Sequence, residues 1–136
     1  IFLDSSGDSL QKRGYRVGQN DTSMSEVLAA GILKIAGWKG QTDFYDSMCG
    51  TGTIPVEAAL IARNIPPGIF RSEFAFETWK DFDAELFAVI RESLLKKVRN
   101  SSQKIIGYDK APSAVRKADD NVKNAALEDF ITIKKQ

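Results

Sequence analysis

Histidine is missing from this sequence altogether, and cysteine occurs once, at Cys49. Without histidine, Ser-His-Asp and Cys-His catalysis are excluded within the chain, as are the usual zinc sites. One cysteine excludes an internal disulfide. A strong charge of either sign is missing too: the formal net charge is +1, so no nucleic-acid footprint shows in the total, although a basic face can hide in a neutral sum. No apolar run approaches the roughly 18 residues of a membrane span. The opening Ile1-Phe2-Leu3-Asp4 lacks a basic leader followed by a long apolar core. We therefore expect a cytoplasmic protein with neither a metal nor a membrane as partner. No methionine opens the chain, which leads us to expect a piece of a longer protein.

What is present is ordinary in amount and specific in order. A length of 136 residues with 43% apolar and 27% charged side chains is that of one soluble globular domain able to bury a core. The organising stretch is Phe44-Tyr45-Asp46-Ser47-Met48-Cys49-Gly50-Thr51-Gly52-Thr53. Apolar residues run up to an acid, a loop carries two glycines, and a helical pattern runs from Thr53 through Ile61. Gly50 and Gly52 can take positive φ, which lets the backbone turn sharply and approach a ligand. The first-turn N–H groups of the following helix point into the same space. A dinucleotide fingerprint requires a third glycine where this chain has Pro55, and a P-loop requires a Gly-Lys-Ser/Thr ending that is absent. An acid, three residues and Gly-x-Gly remain. A glycine turn that merely joins strand to helix is the simpler alternative.

In chain order, Ile1-Phe2-Leu3 and Leu10 to Arg16 read as two short extended runs joined by turn formers, a lead-in hairpin with a basic edge of Lys12, Arg13 and Arg16. Those cations are either solvated on an edge strand or placed for RNA phosphates. The polar linker 17–22 follows. Ser23-Met24-Ser25-Glu26 has the form of a capping box, with Glu26 as cap or ligand contact. Met24, Val27, Leu28, Gly31, Ile32 and Ile35 then recur at helical spacing, predicting a buried face, and Gly37 ends the helix. Pro55 sits near the start of the helix after the glycine turn, where a missing N–H costs little. Asn64-Ile65-Pro66-Pro67-Gly68 terminates that helix. Residues 65–103 read as a helical insertion, with packing aromatics over 70–82 and a helix from about Asp83 to Val98 whose Leu86, Phe87, Val89, Ile90, Leu94 and Val98 face inward. Lys104 to Asp109 is a second buried strand ending in an acid, which is placed either to bind ribose hydroxyls or to cap the helix opening near Pro112. Ala111 to Leu127 is amphipathic, and Phe130 to Ile133 is a third strand preceded by Asp129, either a turn residue or an adenine contact.

Several stretches together, Leu3 to Leu10 with Lys12-Arg13-Gly14-Tyr15-Arg16, Ser25 to Ala30, Asp46 to Thr53, Glu57 to Ala62, and Phe74-Ala75-Phe76-Glu77 with Trp79, resemble the THUMP-associated RNA methyltransferases. The bacterial enzymes that methylate guanine N2 in large-subunit ribosomal RNA are the nearest in kind. The resemblance implies a Rossmann-like α/β methyltransferase fold. Residues 23–136 would form the N-terminal half of the methyltransferase domain, preceded by the hairpin and linker of residues 1–22. It implies S-adenosylmethionine as cofactor, with Asp46, Ser47, Cys49, Gly50, Gly52 and Thr53 on the methionine side, Asp109 and Lys110 on the ribose side, and Asp129 at the adenine. RNA would be the partner of the full-length protein. The family's Asn/Asp-Pro-Pro-Tyr-like motif, which grips the target amine, has no match here. An N6-adenine methyltransferase and a non-catalytic adenosine- or RNA-binding module are the rival expectations.

Overall fold

The computed structural model describes residues 3–16 and 23–136. Ile1, Phe2 and the expected linker 17–22 lie outside the described residues. The chain runs α1 (Glu26–Ile35), β1 (Phe44–Asp46), α2 (Thr53–Arg63), a 3-10 turn (Ala75–Thr78), α3 (Ala84–Leu95), β2 (Ile105–Asp109), α4 (Pro112–Asn124) and β3 (Ile131–Lys135). The strands form one parallel sheet in the order β1-β2-β3, with Phe44 opposite Ile105 and Ile105 opposite Ile131. Parallel neighbours require a crossover, and here helices supply both, which is the α/β arrangement expected.

Local chemistry explains where the helices stop. Ser25 caps α1 by accepting from Leu28 N–H at 3.2 Å, so the capping residue is Ser25 and not the expected Ser23. At its other end Gly37 adopts φ 74°, while Gly37 and Trp38 donate to the Lys34 and Leu33 carbonyls. That pairing is the Schellman pattern for the last orphan carbonyls. Asn64 ends α2 in the left-handed conformation, φ 55°, which Asn tolerates better than most residues.

The core lies between the sheet and α2, which is buried through Pro55, Val56, Glu57, Ala58, Ala59 and Leu60. Val122, Ala125 and Leu127 close one side, and Leu33 with Trp38 the other. The Trp38 indole donates to the Ala58 carbonyl at 3.2 Å. Gly40 makes α2 and the preceding loop meet closely. It has φ 82°, and a Cβ there would stand 2.6 Å from Ala62 Cβ. Gly40→Ala should therefore cost roughly 2 kcal/mol in urea denaturation. Gly37→Ala has φ 74° but open space around it, and should cost about 1 kcal/mol. Equal losses at the two sites would show that backbone strain alone, without the contact, sets the penalty.

Three expectations are corrected. Among the described residues 3–16 no strand forms. The carbonyls that a hairpin would use are instead drawn to residues 71–76: Arg71 donates to Ser6, Asp8, Ser9 and Lys12 at 2.9–3.2 Å, and Ala75 and Phe76 donate to Ser6 and Ser5. The buried face of α1 is Glu26, Ala29 and Leu33, whereas Val27, Leu28, Ile32 and Ile35 are exposed, Ile35 by 90%. No residue of α3 is buried, and Leu86, Val89, Ile90 and Leu94 lie on its open face. Its Phe87 instead joins an aromatic cluster with Phe74, Phe76 and Phe82, ring centroids 5.2–6.4 Å apart, as the aromatic run of residues 70–82 led us to expect.

Candidate functional site

β1 and β2 end side by side in Asp46 and Asp109, and the glycine loop folds between them. Cys49 N–H donates to the Tyr108 carbonyl at 2.8 Å, and Gly50 N–H to Asp109 Oδ2 at 3.0 Å. Asp109 Oδ1 accepts from Ala111 N–H at 2.9 Å. Asp109 is thus the clasp that joins the second strand to the loop and to Ala111, the residue before α4; it does not cap that helix, which has no side-chain cap. Ligands of open α/β sheets bind at this carboxyl end of the strands.

A cleft of about 360 Å³ lies here, lined among others by Asp46, Cys49, Gly50, Thr51, Thr53 and Lys117. That volume falls in the range of small-ligand pockets, roughly 300–1,000 Å³. Asp46 Oδ1 accepts from Met48 N–H at 3.1 Å, while Asp46 Oδ2 is buried with no hydrogen-bond partner among the described residues. Burial foremost, with the neighbouring Asp109 charge adding, raises the Asp46 pKa, and the Met48 amide opposes the shift only in part. A buried acceptor left unsatisfied is costly, so this oxygen is suited to a donor that arrives with a ligand.

The two loop glycines do different work. Gly50, at φ 56°, has nothing within 4 Å of a Cβ position, so its open side faces the cleft. Gly52, at φ 80°, would put a Cβ 3.1 Å from Ala118 Cβ. The absence of a side chain there allows α4 to pack against the loop. Gly52 also has no side chain to cap α2, which leaves the first-turn amides of that helix available to an anion. Thr53 Oγ1 accepts from Arg16 at 2.9 Å, and Arg16 also donates to the Met24 carbonyl and lies 3.5 Å from Glu26. Glu26 is therefore an ion-pair partner at the start of α1. Arg16 links Met24 to the cleft wall, and Thr51, whose hydroxyl donates to Ser23 Oγ at 3.4 Å, links Ser23 to it.

Cys49 lines the cleft and also packs against β2. Its sulfur would stand 3.0 Å from a Cβ at Gly107, so only glycine on β2 makes room for it. Burial, with the charges of Asp46 and Asp109, pushes the thiol up to about 12, far from the thiolate form that a nucleophile needs. Ser47, Lys110 and Asp129, which the resemblance adds to the site, are exposed and do not line the cleft. Ser113, Ala114 and Lys117 do line it. Their signal was present in the sequence: the first turns of a helix that follows an acid-ending strand face the same crevice. Ser23 and Met24 carried no such local signal.

Among the described residues no helix is long and apolar enough to cross a membrane. None of them form a group of three or more acidic or cysteine side chains placed to hold a metal ion. A larger cleft of 690 Å³ lies between residues 6–14 and 70–78, and no strand end lines it.

A family model described as "RMKL-like, methyltransferase domain" matches residues 13–136. The ribosomal RNA large subunit methyltransferase K/L of Pseudoalteromonas translucida is 41% identical over 136 residues, covering 98% of this chain and 19% of that protein. Its counterpart in Buchnera aphidicola subsp. Schizaphis graminum is 38% identical over 137 residues, covering 97% of this chain and 20% of that protein. Among solved structures, SMU.472, described as a methyltransferase and complexed with SAH, superposes with a TM-score of 0.90 at 35% identity, covering 98% of this chain and 34% of the other. A predicted N6-adenine-specific DNA methylase from Listeria monocytogenes gives a TM-score of 0.91 at 38% identity, with 98% and 35% covered. The chain spans about a fifth of the length of these curated relatives. With its parallel sheet, acid-ended strands and glycine loop, it belongs to the RMKL-like methyltransferase-domain family.

Proposed function

We propose that this chain is the cofactor-binding part of an S-adenosylmethionine-dependent methyltransferase that acts on an exocyclic base amine in RNA, guanine N2 of large-subunit ribosomal RNA first among them. The observation that carries the reading is the unpartnered, buried Asp46 Oδ2 in the cleft above the glycine loop. The methionine end of the cofactor bears an ammonium and a carboxylate. Asp46 suits the ammonium, while the uncapped start of α2 and Lys117, a cation on the cleft wall, suit the carboxylate. Asp109 keeps a second lone pair on each oxygen beyond those used by Gly50 and Ala111, enough to accept ribose hydroxyls. Lys110 and Asp129 extend the site toward the ribose and adenine in this reading, and Ser47 belongs to its loop.

When bound, the cofactor supplies an electrophilic methyl group on a sulfonium. This chain contributes binding and orientation, where most of the rate of such a transfer originates. The RNA reading is supported by the relatives' names, and guanine N2 by the resemblance of the motifs. Methylation of adenine N6 is the second reading, favoured by what the Listeria protein is said to be; it uses the same cofactor and differs in the target. Thermal unfolding with SAH and with NAD tests the shared part. SAH at about a hundredfold its Kd should stabilise the fold by roughly 2.7 kcal/mol, and NAD should do nothing. Stabilisation by NAD alone would refute the cofactor assignment. Nucleoside mass spectrometry of rRNA methylated by the whole protein separates guanine N2 from adenine N6.

A further inference from the structure

The lead-in cations, which the sequence offered as an RNA-facing edge, are largely neutralised in the fold. Arg13 pairs with the buried Glu57 at 3.4 Å, Arg16 lies 3.5 Å from Glu26, and Lys12 lies 3.9 Å from Asp8. Unpaired positive charge collects elsewhere. A groove of about 430 Å³ between α1 and α2 is lined by Arg13, Lys34, Lys39 and Arg99, with Glu57 the only acidic side chain lining it among the described residues. Lys34, Lys39 and Arg99 are exposed and have no carboxylate partner among the described residues. They come from the last turn of α1, the loop before β1 and the segment after α3, so no window of sequence displays them together. Three unpaired cations in one groove contrast with a net charge of +1 for the whole chain.

We propose that this groove holds the phosphate backbone of the RNA substrate at a distance from the methyl-transfer site, an inference that rests on the RNA reading above. Two observations define the contact. No aromatic residue lines the groove, whose floor is Leu60, Ile61 and Ile65, so bases are not stacked there and the interaction is with phosphates, independent of sequence. The groove also runs along α2 from Glu57 to its far end at Asn64, whereas the cofactor cleft meets that helix at Thr53 and Ile54. That helix has 11 residues, beginning at Thr53 in the cleft wall and ending beside Asn64 at the groove. At a rise of ~1.5 Å per residue the Asn64 end of α2, where Arg99 N–H donates to the Arg63 carbonyl, lies about 16 Å along the helix from Thr53. A phosphate held at that end by Arg99 therefore does not belong to the nucleotide being methylated, and the groove grips flanking RNA and fixes its path.

The test uses the whole protein and a fluorescein-labelled RNA hairpin, with anisotropy recorded over a salt series. A triple variant, Lys34→Glu, Lys39→Glu and Arg99→Glu, should bind at least about tenfold more weakly, and its log K against log salt slope should flatten by about 2–3, close to one per lost phosphate contact. A control, Lys80→Glu, Lys123→Glu and Lys134→Glu, makes the same change in net charge on other surfaces and should lose less than about threefold. Both should keep the thermal shift with SAH, which establishes that fold and cofactor cleft are intact. Unchanged affinity and slope in the groove variant overturns the proposal and leaves the RNA reading standing. If the unaltered protein binds no RNA while SAH still stabilises it, the RNA reading falls together with the groove. Displacement of the hairpin by inorganic phosphate or by polyglutamate as readily as by unlabelled RNA would instead make the groove a small-anion site or a site for acidic protein, and would also overturn the proposal.

Discussion

Asp46→Asn protein should melt no lower than the parent when free, and SAH should bind it about 10- to 100-fold more weakly, the loss expected for a hydrogen bond to a charged group. The asparagine carbonyl can take over Oδ1 and accept from Met48 N–H, which keeps the start of the loop in place. What disappears is the negative charge on the buried, unpartnered Oδ2. Burial raises this pKa, so the charged form is less favourable in the folded chain than in the unfolded one. The contribution of such a group to stability is complete below the ordinary carboxylate range and is lost as pH rises through the raised value. Removing the charge therefore relieves the free protein at neutral pH and penalises only the liganded one. Asp109 offers a less clean experiment, since its carboxylate also holds the Gly50 and Ala111 amides, and its loss would disturb the loop itself. Isothermal titration with SAH, beside melting curves without it, checks the prediction. An unchanged affinity would remove Asp46 from the site.

Glu57→Ala should destabilise the fold by about 3 kcal/mol, the cost of breaking a buried pair while leaving its partners in place. Glu57 is 2% exposed on α2, accepts from the buried Tyr15 hydroxyl at 3.2 Å, and pairs with Arg13 at 3.4 Å. This is how the lead-in segment is fastened to the core, and alanine strands both partners. Glu57→Gln, which keeps an acceptor for Tyr15, should cost at most about 1 kcal/mol. Burial raises the Glu57 pKa, Glu26 adding and Arg13 and Tyr15 opposing. The long contacts to Arg13, 3.4 and 3.5 Å, do not offset the desolvation. A raised folded pKa means that this stability is complete below the ordinary value of 4.5 and declines as pH climbs above it. Urea denaturation between pH 4 and 7 should show a shallower decline for Glu57→Gln than for the parent. Equal costs for the two substitutions, or parallel pH curves, would dismiss Glu57 as the fastening residue.

Helix phase was the least legible feature in the sequence. In α1 the periodicity of Val27, Leu28, Ile32 and Ile35 marked an apolar stripe correctly but assigned it to the wrong side of the surface, for these residues are exposed and Ala29 and Leu33 are buried. Periodicity reports that a stripe exists and says nothing about which neighbour meets it. The small side chains Ala29, Ala58 and Ala59 let α1 and α2 approach closely, which favours the Ala29 face. The same limit applies to α3, whose spacing announced an inward face of which Phe87 meets the aromatic cluster while Leu86, Val89, Ile90 and Leu94 are exposed. β1 stands at the open edge of the sheet, with Tyr45 59% exposed beside that edge.

Taken by itself, the amino-acid sequence determined the order of helices and strands from α1 onward, the glycine loop between an acid-ended strand and a helix, the second acid at Asp109, and through these the class of ligand. Each is a local matter: backbone conformation, capping and the alternation of apolar residues act over a few positions. Only the tertiary structure decided that Asp109 grips the loop through Gly50, that Gly52 is needed by Ala118, that Gly107 makes room for Cys49, and that Glu57 faces Arg13 and Tyr15. Those pairs are separated by tens of residues, from 42 between Tyr15 and Glu57 to 66 between Gly52 and Ala118. The partner of a buried charge, or of a missing side chain, is chosen by which surfaces the packed sheet and helices bring into contact, and no short-range pattern encodes that choice.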